Sequence, residues 1–243
     1  MATGPGIEIA IRDKRFAPDA PPLFADFRLS IAPETVTALV GPSGVGKSSL
    51  LRMIAGIDTA FDGEVRVGGR PAHQAPPPGF VLQDARLLPW LTAIDNIRAV
   101  APGIEDSRAL ALLDRVGLHG AADSYPHELS GGMQRRVALA RAFSVNADLL
   151  LLDEPFVSLD RTLVDELQAL FIELVEHERP TVVLVTHLVE DAVRLADRAV
   201  TLRGRPATII SDIVLDTSRR ARTPADHARF AAQIAAAPAQ VMG

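Results

Sequence analysis

The chain has 243 residues, a hydrophobic share of 48%, a formal net charge of −5 and no cysteine. The apolar share is ample for a core, so one large domain or a domain with an inserted lobe is expected, and the missing thiols exclude disulfides, cysteine nucleophiles and thiolate metal sites. The acidic balance gives no general attraction for nucleic acid, and the longest apolar runs, 149–152 and 182–185, are far short of the ~20 residues of a membrane helix. Met1 to Gly6 lacks the basic and apolar regions of a secretion signal, so the chain is expected to stay in the cytoplasm.

Taken in order, Ile7-Glu8-Ile9-Ala10-Ile11 alternates as a half-exposed strand does, and Phe16 follows before a proline-rich loop over 18–22. An aromatic there is either a core or lid residue or a surface on which adenine could stack. Arg28 to Ile31 and Thr35 to Val40 read as strands joined by a turn at Ala32-Pro33-Glu34. The second delivers Gly41-Pro42-Ser43-Gly44-Val45-Gly46-Lys47-Ser48, and Lys47 to Ala55 reads as a helix closed by Gly56. Strand, glycine-rich loop and helix together predict a phosphate-binding loop. Glycines 41, 44 and 46 let the backbone turn its N–H groups inward, the helix start adds its positive end, Lys47 would reach the outer phosphates, and the Ser48 hydroxyl would hold Mg²⁺.

Glu64 to Val67 with Gly68-Gly69 carries a hairpin signature, and Gly79 to Leu82 is a short strand ending at Gln83. Gln83 alone would be an ordinary solvated residue. The stretch after it, Leu87-Leu88-Pro89-Trp90-Leu91, is apolar, broken by proline and contains the chain's one tryptophan, which suggests a docking surface. Three helical patterns follow without a strand: 92–99, 107–116 closed by Gly117, and 130–143. They predict a helical lobe inserted into an alternating α/β chain. The last opens with Ser130-Gly131-Gly132-Met133-Gln134, where a serine cap and paired glycines leave a second helix start suited to an anion.

Leu149 to Leu152 is apolar enough for a central parallel strand, and it ends in Asp153-Glu154. Read as a continuing strand, the two carboxylates point to opposite sides: Asp153 suits a magnesium shell and Glu154 the base that orients water, whereas a solvated strand end is the plainer alternative. Ser158-Leu159-Asp160 caps a helix whose Leu163, Leu167, Leu170, Phe171 and Leu174 form a core stripe. Thr181 to Val185 is the next buried strand, ending at Thr186-His187, with a helix over 188–195. His187 is either a surface histidine or, at a strand C-terminus of an open α/β sheet, part of a ligand site. Strands over 199–202 and 208–214 finish the sheet, and a peripheral tail carries Arg219-Arg220-Ala221-Arg222 and an alanine-rich helix over 224–237. There is no internal repeat, and the phosphate loop occurs once.

Gly41 to Ser48, Gln83, Leu129 to Gln134, Leu149 to Glu154, Ser158-Leu159-Asp160 and His187 occur in the order found in ABC transporter ATPase subunits, which this chain resembles over roughly residues 7–214. The resemblance implies one α/β P-loop NTPase domain over 1–243: a RecA-like mixed-sheet core (7–85 and 146–218), an N-terminal antiparallel β subdomain, an inserted α-helical subdomain (about 86–145) and a tail (about 219–243). It also implies a head-to-tail pair of such subunits, identical or similar, enclosing two ATP molecules. Each ATP would lie between one chain's Gly41, Pro42, Ser43, Gly44, Val45, Gly46, Lys47, Ser48 and Ser49 and the other chain's Ser130, Gly131, Gly132 and Gln134. Phe16 falls where the family stacks adenine. Ser48, Gln83 and Asp153 would serve Mg²⁺, Gln83 and Glu154 the attacking water, His187 the γ-phosphate, and Asp160 the joint between chains. Met133 departs from the family's usual Gln, a common variant.

Leu87 to Leu91 lies where the family docks separate membrane permease subunits, which places the protein peripherally on the cytoplasmic face of the inner membrane, with a periplasmic or extracellular solute-binding protein as an indirect partner. Leu87 to Thr92 and the short length are similar to the nitrate, sulfonate, taurine and bicarbonate import group. The rival class, soluble ABC ATPases acting on DNA or ribosomes, usually carries a long coiled-coil insertion or a second cassette, and neither is visible here.

Overall fold

The computed structural model describes residues 4–145, 148–157 and 159–236. Ser158, Ala237 and the boundary at 146, all named above, lie outside these. The chain forms two compact units, one built from the chain up to Ala75 and from Pro180 onward, the other from Pro76–Arg179. In chain order the first unit begins with β1 (Ile7–Lys14), β2 (Phe24–Ile31), β3 (Val36–Val40), α1 (Lys47–Ile54), β4 (Asp62–Val67) and β5 (Arg70–Pro71). The second holds β6 (Gly79–Val81), α2 (Ala93–Arg98), α3 (Asp106–Arg115), α4 (Gly131–Ser144), β7 (Leu149–Asp153) and α5 (Arg161–Glu178). The first is completed by β8 (Thr181–Thr186), α6 (Val189–Leu195), β9 (Arg198–Arg203), β10 (Thr208–Val214) and α7 (Pro224–Ala235).

The first unit contains an antiparallel sheet ordered β2-β1-β4-β5. The alternation at the N-terminus sets its register: Ile7, Ile9 and Ile11 oppose Ile31, Leu29 and Phe27 on β2, and Ile7 and Ile9 oppose Val67 and Val65 on β4. All of these are buried, so one face packs and the other, with Glu8, Arg28 and Glu64, is polar. β2 starts at Phe24, four residues before the sequence pattern suggested, because Phe24 and Phe27 pack ring to ring at 5.0 Å. β4 and β5 turn through Gly68 (φ 57°) and Gly69 (φ 76°), the positive-φ pair that a two-residue hairpin requires. The same unit has a mixed sheet in which β3 runs parallel to β8 and to β9, while β10 pairs antiparallel with β9. β3 and β8 are buried at every position, as apolar central strands are.

In the second unit β6 and β7 pair in parallel, with Val81 opposite Leu152. A Cβ at Gly79 would stand 2.2 Å from the Ala142 carbonyl, so the glycine lets α4 pack directly on β6. α2, α3 and α4 follow without a strand, as expected, and bury Ile97, Leu112, Leu113, Val137 and Ala140. Gly117 (φ 71°) closes α3, with Leu118 N–H on Leu113 O at 2.9 Å. The α5 stripe is narrower than expected. Leu167, Phe171 and Leu174 are buried together with Val175, whereas Leu163 and Leu170 are only half-buried, Leu163 because it sits in the first turn.

The C-terminal segment is anchored. α7 buries Phe230 and Ile234, with the Arg229 guanidinium over the Phe230 ring at 4.2 Å, and Arg222 donates to the Ala196 carbonyl at the end of α6 at 2.7 Å. Thr223 and Asp226 form a reciprocal capping box at the start of α7. The Thr223 N–H, then its hydroxyl, then Arg229 hold the Asp226 carboxyl down at about 2. A carboxylate lowered in the folded state contributes stability above its unfolded value and loses that contribution as pH falls through its folded value. The thermal midpoint of Asp226→Ala is therefore expected to lie below that of the parent by a constant interval near neutrality. The interval should shrink as pH falls from about 4 toward about 2, measured by circular dichroism melts across that range.

Candidate phosphate-binding site

Gly41 follows β3 directly, and the backbone of β9 crowds it: a Cβ there would lie 2.5 Å from the Leu202 carbonyl. At Gly46 (φ 113°) a Cβ would lie 2.7 Å from the Phe24 ring. Gly44 (φ 81°) has nothing within 4 Å of its added Cβ, so its backbone conformation, not crowding, is the reason for glycine. Between them Pro42, Ser43 and Gly44 are exposed and Val45 is tucked in, 5% exposed. The loop delivers α1 with Gly46 as its N-cap in the left-handed region, no side-chain cap and no acidic residue in the first turn. Such a helix start offers backbone N–H groups and a positive dipole end to an anion. Lys47 is 4% exposed and its ammonium donates to the carbonyls of Gly41 (2.7 Å) and Pro42 (3.0 Å), which keeps the cation inside the curve of the loop. Ser48 and Ser49 lie half-buried in the first turn.

His187 belongs to the same unit. Val40 and Thr186 are paired across β3 and β8, so the glycine-rich loop and His187 leave adjacent strands at the same end. Strand C-termini are where open α/β sheets take ligands. Phe16 stands on the loop between β1 and β2 and is 66% exposed. That loop is closed at its base by Leu23 N–H on Lys14 O at 2.7 Å.

The second unit repeats the arrangement at β6 and β7: Gln83 lies two residues past β6, and Asp153 ends β7. Glu154 does not continue the strand. It has φ 49°, a left-handed turn conformation, so strand alternation is not what separates its direction from that of Asp153. Two arginines of α4 hold these loops by their backbones. Arg135 donates to the carbonyls of Gln83 and Pro155, and Arg141 to those of Ala85 (2.9 Å) and Arg86 (3.0 Å), where burial pushes its guanidinium below the ordinary value. Farther along, Asn96, fully buried, accepts from Leu88 N–H and donates to the carbonyls of Leu88, Leu91 and Thr92 at 3.0–3.2 Å. Trp90 sits on this held segment, 69% exposed.

At the start of α4 the Ser130 hydroxyl accepts from Met133 N–H at 3.2 Å. A Cβ on Gly131 would meet nothing within 4 Å, while one on Gly132 would come within 3.1 Å of Leu163. Leu163 is itself fixed by Asp160, whose carboxylate accepts its N–H at 3.0 Å as the cap of α5. The Gln134 amide turns inward and donates to Pro126 O (2.8 Å) and Leu129 O (3.1 Å), so this side chain braces the loop before the helix. The sequence reading did not find Phe24, Leu202, Arg135, Arg141 or Asn96: the first four act on backbone distant in the chain, and Asn96 braces a nearby irregular loop that has no periodic pattern.

Among the described residues no group of three His, Cys, Asp or Glu could hold a metal by itself. The side chains expected at a cation, Ser48 in the first unit and Asp153 and Gln83 in the second, carry hard oxygens, a chemistry that suits Mg²⁺, which keeps waters and takes phosphate oxygens, better than a metal needing a full protein cage.

The crowding at the loop predicts unequal effects of two small substitutions. Gly44→Ala, in open space, is expected to weaken ATP binding modestly, consistent with about 1–2 kcal/mol for a left-handed alanine. Gly46→Ala adds the collision with Phe24 and should weaken it by a further tenfold or more, about 1.4 kcal/mol or above, as read by isothermal titration.

Residues 24–157 match the family model described as "ABC transporter". The chain is 43% identical over 201 residues (81% of this chain, 73% of the relative) to the aliphatic sulfonates import ATP-binding protein SsuB 2 of Burkholderia lata. To SsuB of Bacillus subtilis it is 38% identical over 230 residues, covering 90% and 89%. Among solved structures it is similar to the dimeric, ADP- and Pi-bound ATP-binding cassette MJ0796, with TM-score 0.73, 27% identity, and coverage of 87% of this chain and 99% of that one. CbiO1 of Clostridium perfringens shares the fold, with TM-score 0.73 at 23% identity over 85% of this chain and 87% of that one. A cradle of glycine backbone around a buried lysine, an exposed serine-capped second helix start and this extent of likeness lead to one conclusion: the chain belongs to the ABC transporter family of ATP-binding proteins.

Proposed function

We propose that this protein is the ATP-hydrolysing subunit of an importer for aliphatic sulfonates or closely related small anions, acting as a head-to-tail dimer on separate membrane subunits. The observation that carries the nucleotide reading is the loop at Gly41–Lys47, whose backbone curves around a lysine and opens onto an uncapped helix start. The solute class rests on relatives named as aliphatic sulfonates import ATP-binding proteins at about 40% identity. The exposed Trp90 on a segment held by Asn96 is the surface assigned to the permease, and no helix among the described residues is long and apolar enough to cross a membrane. Relatives named as import ATP-binding proteins support the further reading that the protein works peripherally, on the cytoplasmic face of the membrane it serves.

In this reading the backbone N–H groups of residues 41–48 and the Lys47 ammonium bind the β- and γ-phosphates of ATP, and Phe16 stacks on the adenine. Ser48, Asp153 and Gln83 hold Mg²⁺, which when bound neutralises charge developing on the phosphate oxygens. Glu154 orients and deprotonates the attacking water, and His187 donates to the γ-phosphate. Ser130, Gly131 and Gly132 serve the ATP of the partner chain, where the Ser130 hydroxyl and the bare helix start favour the transferring phosphoryl group. Gln134 supports that surface from behind, and Asp160 fixes Leu163 beneath Gly132.

Removing the loop cation in Lys47→Ala is expected to lower turnover by about 10²-fold or more, since phosphate charge then lacks its charge-assisted partner. Steady-state phosphate release by the purified variant measures this, and wild-type turnover would refute the assignment. Glu154→Gln should bind ATP and barely hydrolyse it, so the sandwich persists and the protein shifts from monomer to a closed dimer when ATP is added. Adding Ser130→Arg to that variant should return it to monomer. Size-exclusion chromatography with light scattering decides: a Glu154→Gln protein that binds ATP and stays monomeric at high concentration contradicts the head-to-tail arrangement.

A further inference from the structure

His187 and Leu188 form the whole two-residue corner between β8, which ends at Thr186, and α6, which begins at Val189. Both corner residues are exposed, and Leu188, the N-cap, supplies no side-chain cap. The backbone of this corner is held by Thr186. Its side chain is fully buried, and its hydroxyl accepts the Leu188 N–H at 3.0 Å while donating to Asp191 Oδ2 at 3.1 Å. Asp191 is 5% exposed and sits in the first turn of α6, where the helix's positive end favours a carboxylate.

A hydroxyl has one proton and two lone pairs. With its proton committed to the Asp191 carboxylate, the Thr186 oxygen must present a lone pair to Leu188, so Asp191 orients Thr186 and Thr186 fixes the peptide that joins His187 to Leu188. A charge-assisted bond in a buried setting is stronger and better directed than the same bond in water. We infer that Thr186 and Asp191 are positioning residues for His187: they set where the imidazole leaves β8, at the same sheet end where the phosphate-binding loop leaves β3. This rests on the reading of His187 as the γ-phosphate contact. Because the nucleotide is held mainly by residues 41–48, loss of the relay should alter the chemical step and leave nucleotide affinity almost unchanged.

The test is the Mg²⁺-ATPase of the full-length protein carrying Thr186→Val, Thr186→Ser, His187→Ala, or Thr186→Val with His187→Ala. Thr186→Val keeps the shape and removes the hydroxyl. It is expected to lower kcat about tenfold or more with KM within about twofold, as for a group misplaced by a fraction of an ångström. Thr186→Ser, which retains the hydroxyl, should restore most of the rate. In the His187→Ala background Thr186→Val should cost nothing further, because both changes act through the same imidazole. Undiminished kcat in Thr186→Val, or a loss of the same size with and without His187, overturns the inference while leaving His187 in place. Full activity in His187→Ala overturns both the inference and the reading beneath it. If Thr186→Val does not fold, Asp191→Asn, which keeps the volume and weakens the acceptor, must show the same split and the same silence without His187, or the inference fails.

Discussion

A loop that binds phosphate through its own amides has to curve tightly, and the curve leaves room for backbone only. Here that constraint is visible in what a side chain would strike, the Leu202 carbonyl at Gly41 and the Phe24 ring at Gly46. The neighbouring elements follow from it. β9 lies beside β3 so that a carbonyl meets a glycine, β2 begins early so that an aromatic ring closes the floor, and Lys47 folds back into a space lined by carbonyl oxygens. Ordering the glycines costs conformational entropy, and the burial of β3, which leads into the loop, and of β8, which pairs with it, offsets that loss.

Each compact unit applies the same geometric rule, placing functional groups where parallel strands end. In the first unit the paired Val40 and Thr186 bring out the phosphate loop and His187; in the second the paired Val81 and Leu152 bring out the segment of Gln83 and the Asp153-Glu154 corner. Each also offers a helix start to an anion, but by different means. α1 has no side-chain cap, so its first turn depends on the loop, whereas α4 is capped by Ser130 and is open at Gly131. A cap that already satisfies one N–H of the helix start holds its shape before any nucleotide arrives, which suits the surface proposed to meet the ATP of another subunit.

Much of this was legible in the sequence because the signals are local. Alternating isoleucines fixed the register of β1, apolar runs marked the central strands, and glycines at 56 and 117 marked helix ends. The glycine-rich loop carried its chemistry in its spacing. What could not be read depends on contacts across the chain. Glu154 leaves the strand with positive φ, although the alternation rule extended it as strand, and Gln134 turns inward because carbonyls at 126 and 129 face it. No periodicity announces that Phe24 will sit under Gly46 or that Arg135 will reach Gln83. The tail looked peripheral from its composition, yet Phe230 and Ile234 anchor it, since two apolar residues one helical turn apart are a weak signal among alanines.

The anchoring of residues 83–92 has an evolutionary consequence. Arg135, Arg141 and Asn96 grip this stretch through main-chain carbonyls and an N–H, at Gln83, Ala85, Arg86, Leu88, Leu91 and Thr92. Bonds to the main chain are indifferent to side-chain identity, so residues 84–90 can drift while the path of the backbone stays fixed. If this stretch is the proposed permease surface, lineages that exchange one transmembrane partner for another could re-tailor it residue by residue, and the backbone frame would inherit none of the change.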